Sequence, residues 1–267
     1  MIKLFVYTFW EPRGNIPLYL RLCMKTWKKF LPNATIIVLD YKNIGEFIDV
    51  RELGLNLLSD KRFGFMHISD ALRIAVLAKY GGVWLDTDTI ILNSNAEKYF
   101  LPDKKHRAIF FGDPESKGCY TAFINAPPAA MCINLWREFN REKIWNLNAS
   151  TIIGWDFFSN SFINDYAKNF PSEIKILDNR AVMPEISSGN VSSEKFYLEY
   201  YFMQDYHLAN VNTDLILLHN SWTPPEFKQL LPDEFFYYDC TLVNILAEAL
   251  EIKLPPAQNR FRAKLND

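Results

Sequence analysis

Apolar and polar positions follow one another in blocks that predict strands and helices in regular succession at the start of the chain. Two continuous apolar runs, residues 4–8 and 35–39, predict buried strands. Between them, residues 17–30 carry apolar side chains at helical spacing, with Leu20 and Trp27 facing inward. An apolar strand that follows a helix in this way is typical of a parallel βαβ unit. The pattern therefore predicts an α/β fold.

The next helix and strand repeat this pattern and add charged side chains. The helix presents a broad apolar surface, made by Ile68, Ala71, Leu72, Ala75, Val76 and Ala78. Asp70 and Arg73 lie three positions apart, so they are expected to form a pair of opposite charges on a neighbouring side. Gly81 stands where a left-handed C-cap residue is needed, and Gly82 lets the chain turn into an apolar strand at 83–85.

Two carboxylates, Asp86 and Asp88, follow this strand. Side chains alternate along an extended segment, so we expect both carboxylates to project the same way and to reach one ion. Hard divalent cations prefer oxygen ligands and keep positions open for phosphate oxygens. The pattern thus predicts a metal ion that holds a diphosphate. It would lie at the carboxyl end of a strand, where open α/β sheets bind ligands.

The regular alternation weakens in the second half of the chain. Strands are predicted at 108–111 and 120–125, and helices at 129–142 and 156–168. Residues 145–210 otherwise contain much irregular chain, which is typical of a substrate-facing region built from loops.

A second group of chemically suited side chains comes near the C-terminus. An apolar strand at 215–218 is followed by His219, Asn220, Ser221 and Trp222, and two prolines then prevent regular structure from continuing. Taken alone, His219 is expected to be a hydrogen-bonded structural histidine. The two carboxylates upstream make it a candidate metal ligand, with Asn220 and Ser221 as competitors.

Composition excludes several classes of protein. Lys and Arg total 29 against 31 Asp and Glu in 267 residues, so no basic footprint for nucleic acid is present. The four cysteines are far apart and lack CxxC spacing, which argues against a zinc site or a disulfide framework and favours reduced, cytoplasmic thiols. No segment approaches the roughly 20 apolar residues needed to span a bilayer.

The C-terminal segment leaves two interpretations open. Residues 241–253 place apolar side chains on one helical face, and Arg260, Arg262 and Lys264 follow. A terminal helix packed on the core is favoured. The alternative is a peripheral contact with the inner face of a membrane.

Three motifs carry a resemblance to a known family: Ser69-Asp70-x-x-Arg73, Tyr80-Gly81-Gly82 and Asp86-Thr87-Asp88. They are similar to the signature of the sugar transferases with the DXD motif, glycosyltransferase family 32. That family includes capsular polysaccharide transferases, fungal initiating mannosyltransferases and, more distantly, the glucosylating domains of large bacterial toxins.

The resemblance implies a fold and an activity. The implied fold is a single GT-A domain over residues 1–267, with a Rossmann-like nucleotide-sugar-binding part (1–125), an acceptor-side region (126–210) and a C-terminal part (211–267). The implied activity is retaining transfer of a hexose from a nucleotide sugar, a UDP-sugar before a GDP-sugar, with Mn²⁺ or Mg²⁺. The implied acceptor is a glycan or lipid-linked glycan in surface polysaccharide or lipopolysaccharide biosynthesis.

The resemblance also implies roles for residues in the DXD block. Asp88 would bind the metal directly, and Asp86 would bridge the metal and the donor ribose or bind the metal through water. Asp70 and Arg73 would lie beside the donor sugar, whereas the alternative for this pair is an ion pair on the surface.

Residues outside that block receive roles from the same resemblance. His219 would be the third metal ligand, and the indole N–H of Trp222 would reach the diphosphate. Trp10 would help to hold the nucleotide base, with a core or edge tryptophan as the alternative. Asp156 would face the acceptor.

Two other functions compete with this interpretation. Residues 83–91 also fit the first motif of haloacid-dehalogenase-like phosphatases, in which Asp86 would be the nucleophile and Asp88 the general acid. That class needs a later acidic pair, and the chain contains no Asp-Asp. A non-catalytic nucleotide-sugar or glycan-binding module on the same fold is the other alternative, and donor binding without turnover would identify it.

Overall fold

The computed structural model describes residues 3–49, 60–158, 160–186 and 192–262. Its strands are β1 (Leu4–Phe9), β2 (Ala34–Leu39), β3 (Gly82–Leu85), β4 (Thr89–Ile91), β5 (Ala108–Asp113), β6 (Gly118–Ala126), β7 (Ile174–Asp178) and β8 (Leu215–Leu217). Its helices are α1 (Leu18–Phe30), α2 (Ile44–Phe47), α3 (Phe65–Tyr80), α4 (Glu97–Phe100), α5 (Met131–Trp145), α6 (Asn160–Asn169), α7 (Glu194–Leu198), α8 (Pro225–Gln229), α9 (Pro232–Phe235) and α10 (Thr241–Ala249).

The chain divides into two compact units, each made of three segments. Unit 1 consists of Met1–Asn15, Asn33–Asp86 and Tyr99–Asp178. Unit 2 consists of Ile16–Pro32, Thr87–Lys98 and Asn179–Asp267. The expectation of one domain over residues 1–267 stays a prediction.

Unit 1 is built on a six-stranded sheet in the order β2-β1-β3-β6-β5-β7. Strand β1 is parallel to both β2 and β3, while β6 runs antiparallel to β3 and β5. The adjacent parallel strands β2, β1 and β3 form the Rossmann-like part of the sheet, and β5 and β7 form a second parallel pair. The predicted α/β class is therefore confirmed, including the parallel pairing of the first two strands.

Helix α3 of unit 1 is apolar on almost every side. Ten of its residues are buried: His67, Ile68 and the eight residues from Ala71 to Ala78. It packs against β1, β3 and α5. A helix that is hydrophobic all round is typical of a core position. This burial explains why the side chain of Arg73, on the same helix, is in contact with so little water.

Two predicted helices begin later than expected. Helix α5 starts at Met131 rather than at Ala129, because Ala129 has a left-handed φ of 59°. Helix α6 starts at Asn160 rather than at Asp156. Asp156 instead precedes the helix, and its Oδ1 accepts a hydrogen bond from the Asn160 N–H at 3.1 Å.

Unit 2 contains the antiparallel pair β4-β8 and the helices around it. The indole N–H of Trp27 on α1 donates to the Thr89 carbonyl at 2.6 Å. The apolar face of α10 is 0–2% exposed at Leu242, Ile245, Leu246 and Ala249.

The core-packed interpretation of the C-terminal helix is therefore confirmed. Of the basic residues that follow α10, Arg260 pairs with Asp239 at 3.2 Å, and Lys264 lies outside the described residues. No helix in the described ranges is both long and apolar enough to cross a membrane.

All four cysteines are buried free thiols, two in each unit. Burial raises the pKa of Cys119, Cys132 and Cys240 to about 12 and raises that of Cys23 well above its ordinary value.

Candidate active site

In unit 1, a buried arginine joins two carboxylates at the end of β3. The Arg73 Nη2 lies 2.9 Å from Asp86 Oδ1 and 3.3 Å from Asp70 Oδ1. The indole N–H of Trp84 donates to the same Asp86 oxygen at 2.7 Å, and the guanidinium carbon of Arg73 lies 5.4 Å from the centre of a Trp84 ring. Arg73 is only 5% exposed. The predicted pairing of Asp70 with Arg73 is confirmed, and its interpretation as a surface ion pair is wrong.

Burial controls the charge of both carboxyl groups. Removal from water raises the pKa of Asp70 to about 6, an effect that Arg73 opposes and Asp86 reinforces. Burial also raises the pKa of Asp86, and Arg73 and the Trp84 indole oppose that rise. Arg73 therefore favours the ionised form of both carboxyl groups. The three charged groups act as one cluster.

Gly81 and Gly82, at the junction of α3 and β3, turn the chain into the strand that ends just before Asp86. Gly81 and Gly82 have φ values of 63° and 98°, a backbone conformation that residues other than glycine rarely adopt. A Cβ at Gly81 would lie 2.4 Å from the backbone nitrogen of Pro128. The sharp turn predicted from these glycines is confirmed.

The expected extended path through Asp88 is wrong. Strand β3 ends at Leu85, and Thr87 and Asp88 form a turn before β4 begins. Alternation of side chains therefore does not carry over from Asp86 to Asp88. Asp86 is the last residue of its segment of unit 1, and Thr87 is the first residue of the next segment of unit 2.

In unit 2, Asp88 is held by the loop that follows β8. Its Oδ2 accepts a hydrogen bond from the backbone N–H of Asn220 at 2.6 Å, and the Leu218 N–H donates to its carbonyl at 3.2 Å. The side-chain oxygen of Asn220 accepts a hydrogen bond from the Tyr19 hydroxyl. Asp88 is only 7% exposed. The sequence thus brings together two groups that are 132 positions apart.

His219 and Trp222 lie in the same loop of unit 2. Their ring centroids are 4.0 Å apart, and His219 Nε2 lies 3.3 Å from the Ser192 hydroxyl. Burial lowers the pKa of His219 to about 4, so the imidazole is neutral at pH 7. A neutral imidazole is the form that binds metals. Tyr197 packs edge-on against both rings.

The side chains of Asp88 and His219 are of types that bind divalent ions. Carboxylate oxygens and a neutral imidazole are ligands that Mn²⁺ or Mg²⁺ accept, with phosphate or water oxygens in the remaining positions. Within the described ranges, no three His, Cys, Asp or Glu side chains are grouped closely enough to hold a metal. The amide oxygen of Asn220 is engaged by Tyr19.

The neighbouring parallel strands of unit 1 bring further side chains to the same edge. Trp10 follows β1, and its backbone N–H donates to the Leu39 carbonyl at the end of β2 at 3.0 Å. The indole nitrogen of Trp10 is buried and has no partner among the described residues. Tyr7 of β1 pairs with Trp84 of β3. Trp10 and Asp86 therefore lie past the carboxyl ends of adjacent parallel strands.

Asp156 lies in a loop of unit 1 that is fixed to the start of α3. His67 Nε2 lies 3.0 Å from the Gly154 carbonyl, and Arg62 donates to the carbonyl groups of Asn148 and Thr151. The charge of Asp156 contributes to the raised pKa of Asp70.

The first half of the chain identifies the family. Residues 2–151 match the family model described as "Capsular polysaccharide synthesis protein". This chain belongs to that family. The match spans the α3–β3 block, and the recognition of a capsular polysaccharide type of sequence is confirmed. The chain is also similar to the glycosyltransferase afumC of Aspergillus fumigatus, with 27% identity over 53% of this chain. It spans 40% of the length of that curated relative.

Two solved structures are similar to this capsular polysaccharide synthesis family member in fold only. A glycosyltransferase involved in glycosylation of the major capsid of PBCV-1 has a TM-score of 0.44 and 12% identity, covering 85% of this chain and 98% of that one. The PaToxG glycosyltransferase has a TM-score of 0.43 and 15% identity, covering 64% and 72%. These likenesses are too distant to assign an activity.

Some residues that contact the predicted site residues were not identified from the sequence of this family member. Neither Tyr19 nor Trp84 carries a motif, and both look like core aromatics. Lys228 on α8 is a third example. Burial lowers the pKa of Lys228, while the charge of Asp88 raises it, so this cation lies within electrostatic reach of Asp88 in unit 2.

Proposed function

We propose that this protein is a metal-dependent, retaining glycosyltransferase that moves a hexose from a nucleotide sugar to a glycan acceptor. The observation that carries the proposal is the Asp70–Arg73–Asp86 cluster at the carboxyl end of a parallel strand. Membership of the capsular polysaccharide synthesis family supports it. The proposed acceptor is a growing surface polysaccharide or lipopolysaccharide, the preferred donor is a UDP-sugar, and the proposed location is the cytoplasm.

The cluster in unit 1 suits a sugar with several hydroxyl groups. Asp70 remains 30% exposed at its side chain, so its carboxylate can accept hydrogen bonds from donor hydroxyls. Arg73 supplies positive charge, and its buried Nε has no partner among the described residues. Trp10 is proposed to pack against the nucleotide base.

Residues of unit 2 are proposed to hold the ion and the diphosphate. Asp88 and His219 would bind Mn²⁺ or Mg²⁺ directly, while Asp86 would bridge the ion and the donor ribose or bind the ion through water. When bound, the ion supplies positive charge that stabilises the leaving diphosphate. The Trp222 indole, which packs against the His219 ring at an interplanar angle of 38°, would donate to a diphosphate oxygen.

Retention is proposed to occur by attack on the same face of the sugar. Asp86 Oδ1 already accepts from Arg73 and Trp84, and Asp70 is paired with Arg73. Arg73 withdraws negative charge from both carboxylates, which makes each a weaker nucleophile. The acceptor hydroxyl would instead transfer its proton to the departing phosphate oxygen, so no side-chain base is required. Electrostatic stabilisation by fixed groups would then supply most of the rate enhancement.

The acceptor is proposed to bind beside Asp156. The adjacent Trp155 is 71% exposed although its loop is fixed by Arg62 and His67. An exposed indole offers a flat apolar surface with a polar edge, and a neighbouring carboxylate can accept from hydroxyls. This combination suits a carbohydrate.

A donor-hydrolysis screen tests the proposed function. The protein is incubated with UDP- and GDP-sugars in Mn²⁺, Mg²⁺ or EDTA, and release of the nucleoside diphosphate is measured. We expect hydrolysis of a UDP-hexose that EDTA abolishes and Mn²⁺ restores. Donor binding without turnover would instead identify a non-catalytic module. Hydrolysis of p-nitrophenyl phosphate with no nucleotide release would identify a phosphatase.

A further inference from the structure

Tyr19 connects helix α1 to the residue that holds Asp88. Its hydroxyl donates to Asn220 Oδ1, and the backbone N–H of Asn220 donates to Asp88 Oδ2 at 2.6 Å. All three residues belong to unit 2. Tyr19 is 0% exposed. Asn220 is therefore held at its side chain by one partner and holds the carboxylate through its backbone.

The loop around Asn220 is a compact turn. The N–H groups of Trp222 and Thr223 both donate to the His219 carbonyl, at 3.0 and 3.1 Å. The Thr223 hydroxyl lies 2.8 Å from the Tyr197 hydroxyl. Two tyrosines thus fix this turn, and Tyr19 is the one that bonds to the residue contacting Asp88.

Packing alone does not require the hydroxyl of Tyr19. A phenylalanine ring would occupy the same fully buried position without a polar atom. Burial of a hydroxyl is unfavourable unless the hydroxyl is hydrogen-bonded. The hydroxyl also forms a hydrogen bond with the Thr223 side chain, so its bonds go to the 219–223 turn, and these bonds are the reason for a tyrosine at this position. Bonds of this kind orient metal-binding groups without touching the metal.

We propose that Tyr19 is a positioning residue, which fixes the 219–223 turn through Asn220 so that Asp88 and His219 are held ready for the divalent ion. The proposal rests on the proposed metal-dependent function. It assigns Asn220 to the support of Asp88 rather than to the metal.

The test compares Tyr19→Phe with Tyr201→Phe. The Tyr201 hydroxyl is also fully buried and donates to Glu185 at 3.0 Å, and the ring of Tyr201 packs against Tyr197 rather than against the turn. Both variants remove one buried, hydrogen-bonded hydroxyl, so both should lose stability. Hydrogen exchange of the 219–223 peptide is measured without metal, and Mn²⁺ affinity is measured by electron paramagnetic resonance.

We expect Tyr19→Phe to speed exchange in the 219–223 peptide about tenfold and to weaken Mn²⁺ binding by roughly 10-fold or more, the effect typical of groups that orient metal ligands. Tyr201→Phe should change either quantity less than twofold. Asn220→Ala should act in the same direction as Tyr19→Phe, and the double variant should lose less than the sum of the two single effects.

Each other outcome has a distinct meaning. Unchanged exchange in Tyr19→Phe and Asn220→Ala overturns the positioning role. Faster exchange with unchanged Mn²⁺ affinity overturns the link to the ion. If the wild-type protein binds no Mn²⁺, the proposed metal site is wrong, and so is the proposal that the turn holds Asp88 and His219 for an ion. The exchange measurements still decide whether Tyr19 fixes the turn. If Tyr19→Phe does not fold, Asn220→Ala provides the same comparison.

Discussion

The Arg73 guanidinium donates to Asp86 across 2.9 Å while itself only 5% exposed. A buried cation that serves two carboxylates contributes to the fold as well as to chemistry. When one member of such a group is removed, the charges left behind lack compensation.

We expect Arg73→Ala to lose both donor use and stability. Fully buried pairs typically cost about 3–5 kcal/mol when broken. The side chains of Asp70 and Asp86 are 30% and 31% exposed, so we expect the free energy of unfolding to fall by about 2–3 kcal/mol here. Urea unfolding measures this loss. Adding Asp86→Asn should recover part of it, whereas additive losses would show that the cluster is not coupled.

Asp88→Asn should abolish metal-dependent turnover and leave the fold intact. An asparagine oxygen can still accept from the Asn220 N–H, which lies 2.6 Å from Asp88 Oδ2, but it lacks the negative charge that attracts the ion. Donor hydrolysis with Mn²⁺ and the melting temperature are measured together. Activity at the wild-type level would remove Asp88 from the metal site.

Glu185 should make stability depend on pH. Its carboxyl is 6% exposed, and burial raises its pKa to about 7 from 4.5. The folded protein therefore binds an extra proton between these values, so the stability present below pH 4.5 is lost as pH rises through 7. The loss is on the order of 3 kcal/mol.

Glu185→Gln isolates this effect from other titrating groups. Its free energy of unfolding, minus that of the wild type, should increase from pH 4.5 to pH 7 and level off above. A difference that is flat across this range would show that Glu185 does not titrate there.

Trp155→Ala should weaken acceptor use without affecting donor hydrolysis. Loss of a stacking surface worth about 1.4 kcal/mol would raise the acceptor KM roughly tenfold. Transfer to methyl glycosides measures the effect. Trp145→Ala is the matched control, since Trp145 is 74% exposed in the same unit. Equal effects of the two substitutions would argue against an acceptor site at Trp155.

An α-linked donor should give an α-linked product. Asp70 and Asp86 are engaged by Arg73, so we expect no covalent sugar intermediate on either. The coupling constant of the anomeric proton in the NMR spectrum distinguishes the products. A β-linked product would refute retention.

Sequence reasoning succeeded where local pattern decides structure. The helix with Asp70 and Arg73, the left-handed Gly81 and the strand before Asp86 all follow from spacing and backbone preference. It failed at β7, because this strand has only one buried position and its residues Lys175 and Asp178 hide the alternation. Pairing with β5 defines it instead.

The roles predicted for the site residues stay predictions, and the contacts among these residues could not be predicted from the sequence. Nothing local indicates that the Asn220 N–H meets Asp88 or that Tyr19 meets Asn220, because these contacts join distant parts of the chain. Likewise, helical spacing predicted that Arg73 faces Asp70 but not that Arg73 is buried. Burial depends on what packs over α3.

The even distribution of buried thiols offers a way to watch each unit open. Buried thiols with a raised pKa hardly react with maleimides in the native state. Cys119 and Cys132 report on unit 1, and Cys23 and Cys240 report on unit 2. Alkylation followed by mass spectrometry would therefore reveal, in the unmodified protein, whether the two units unfold together or in sequence.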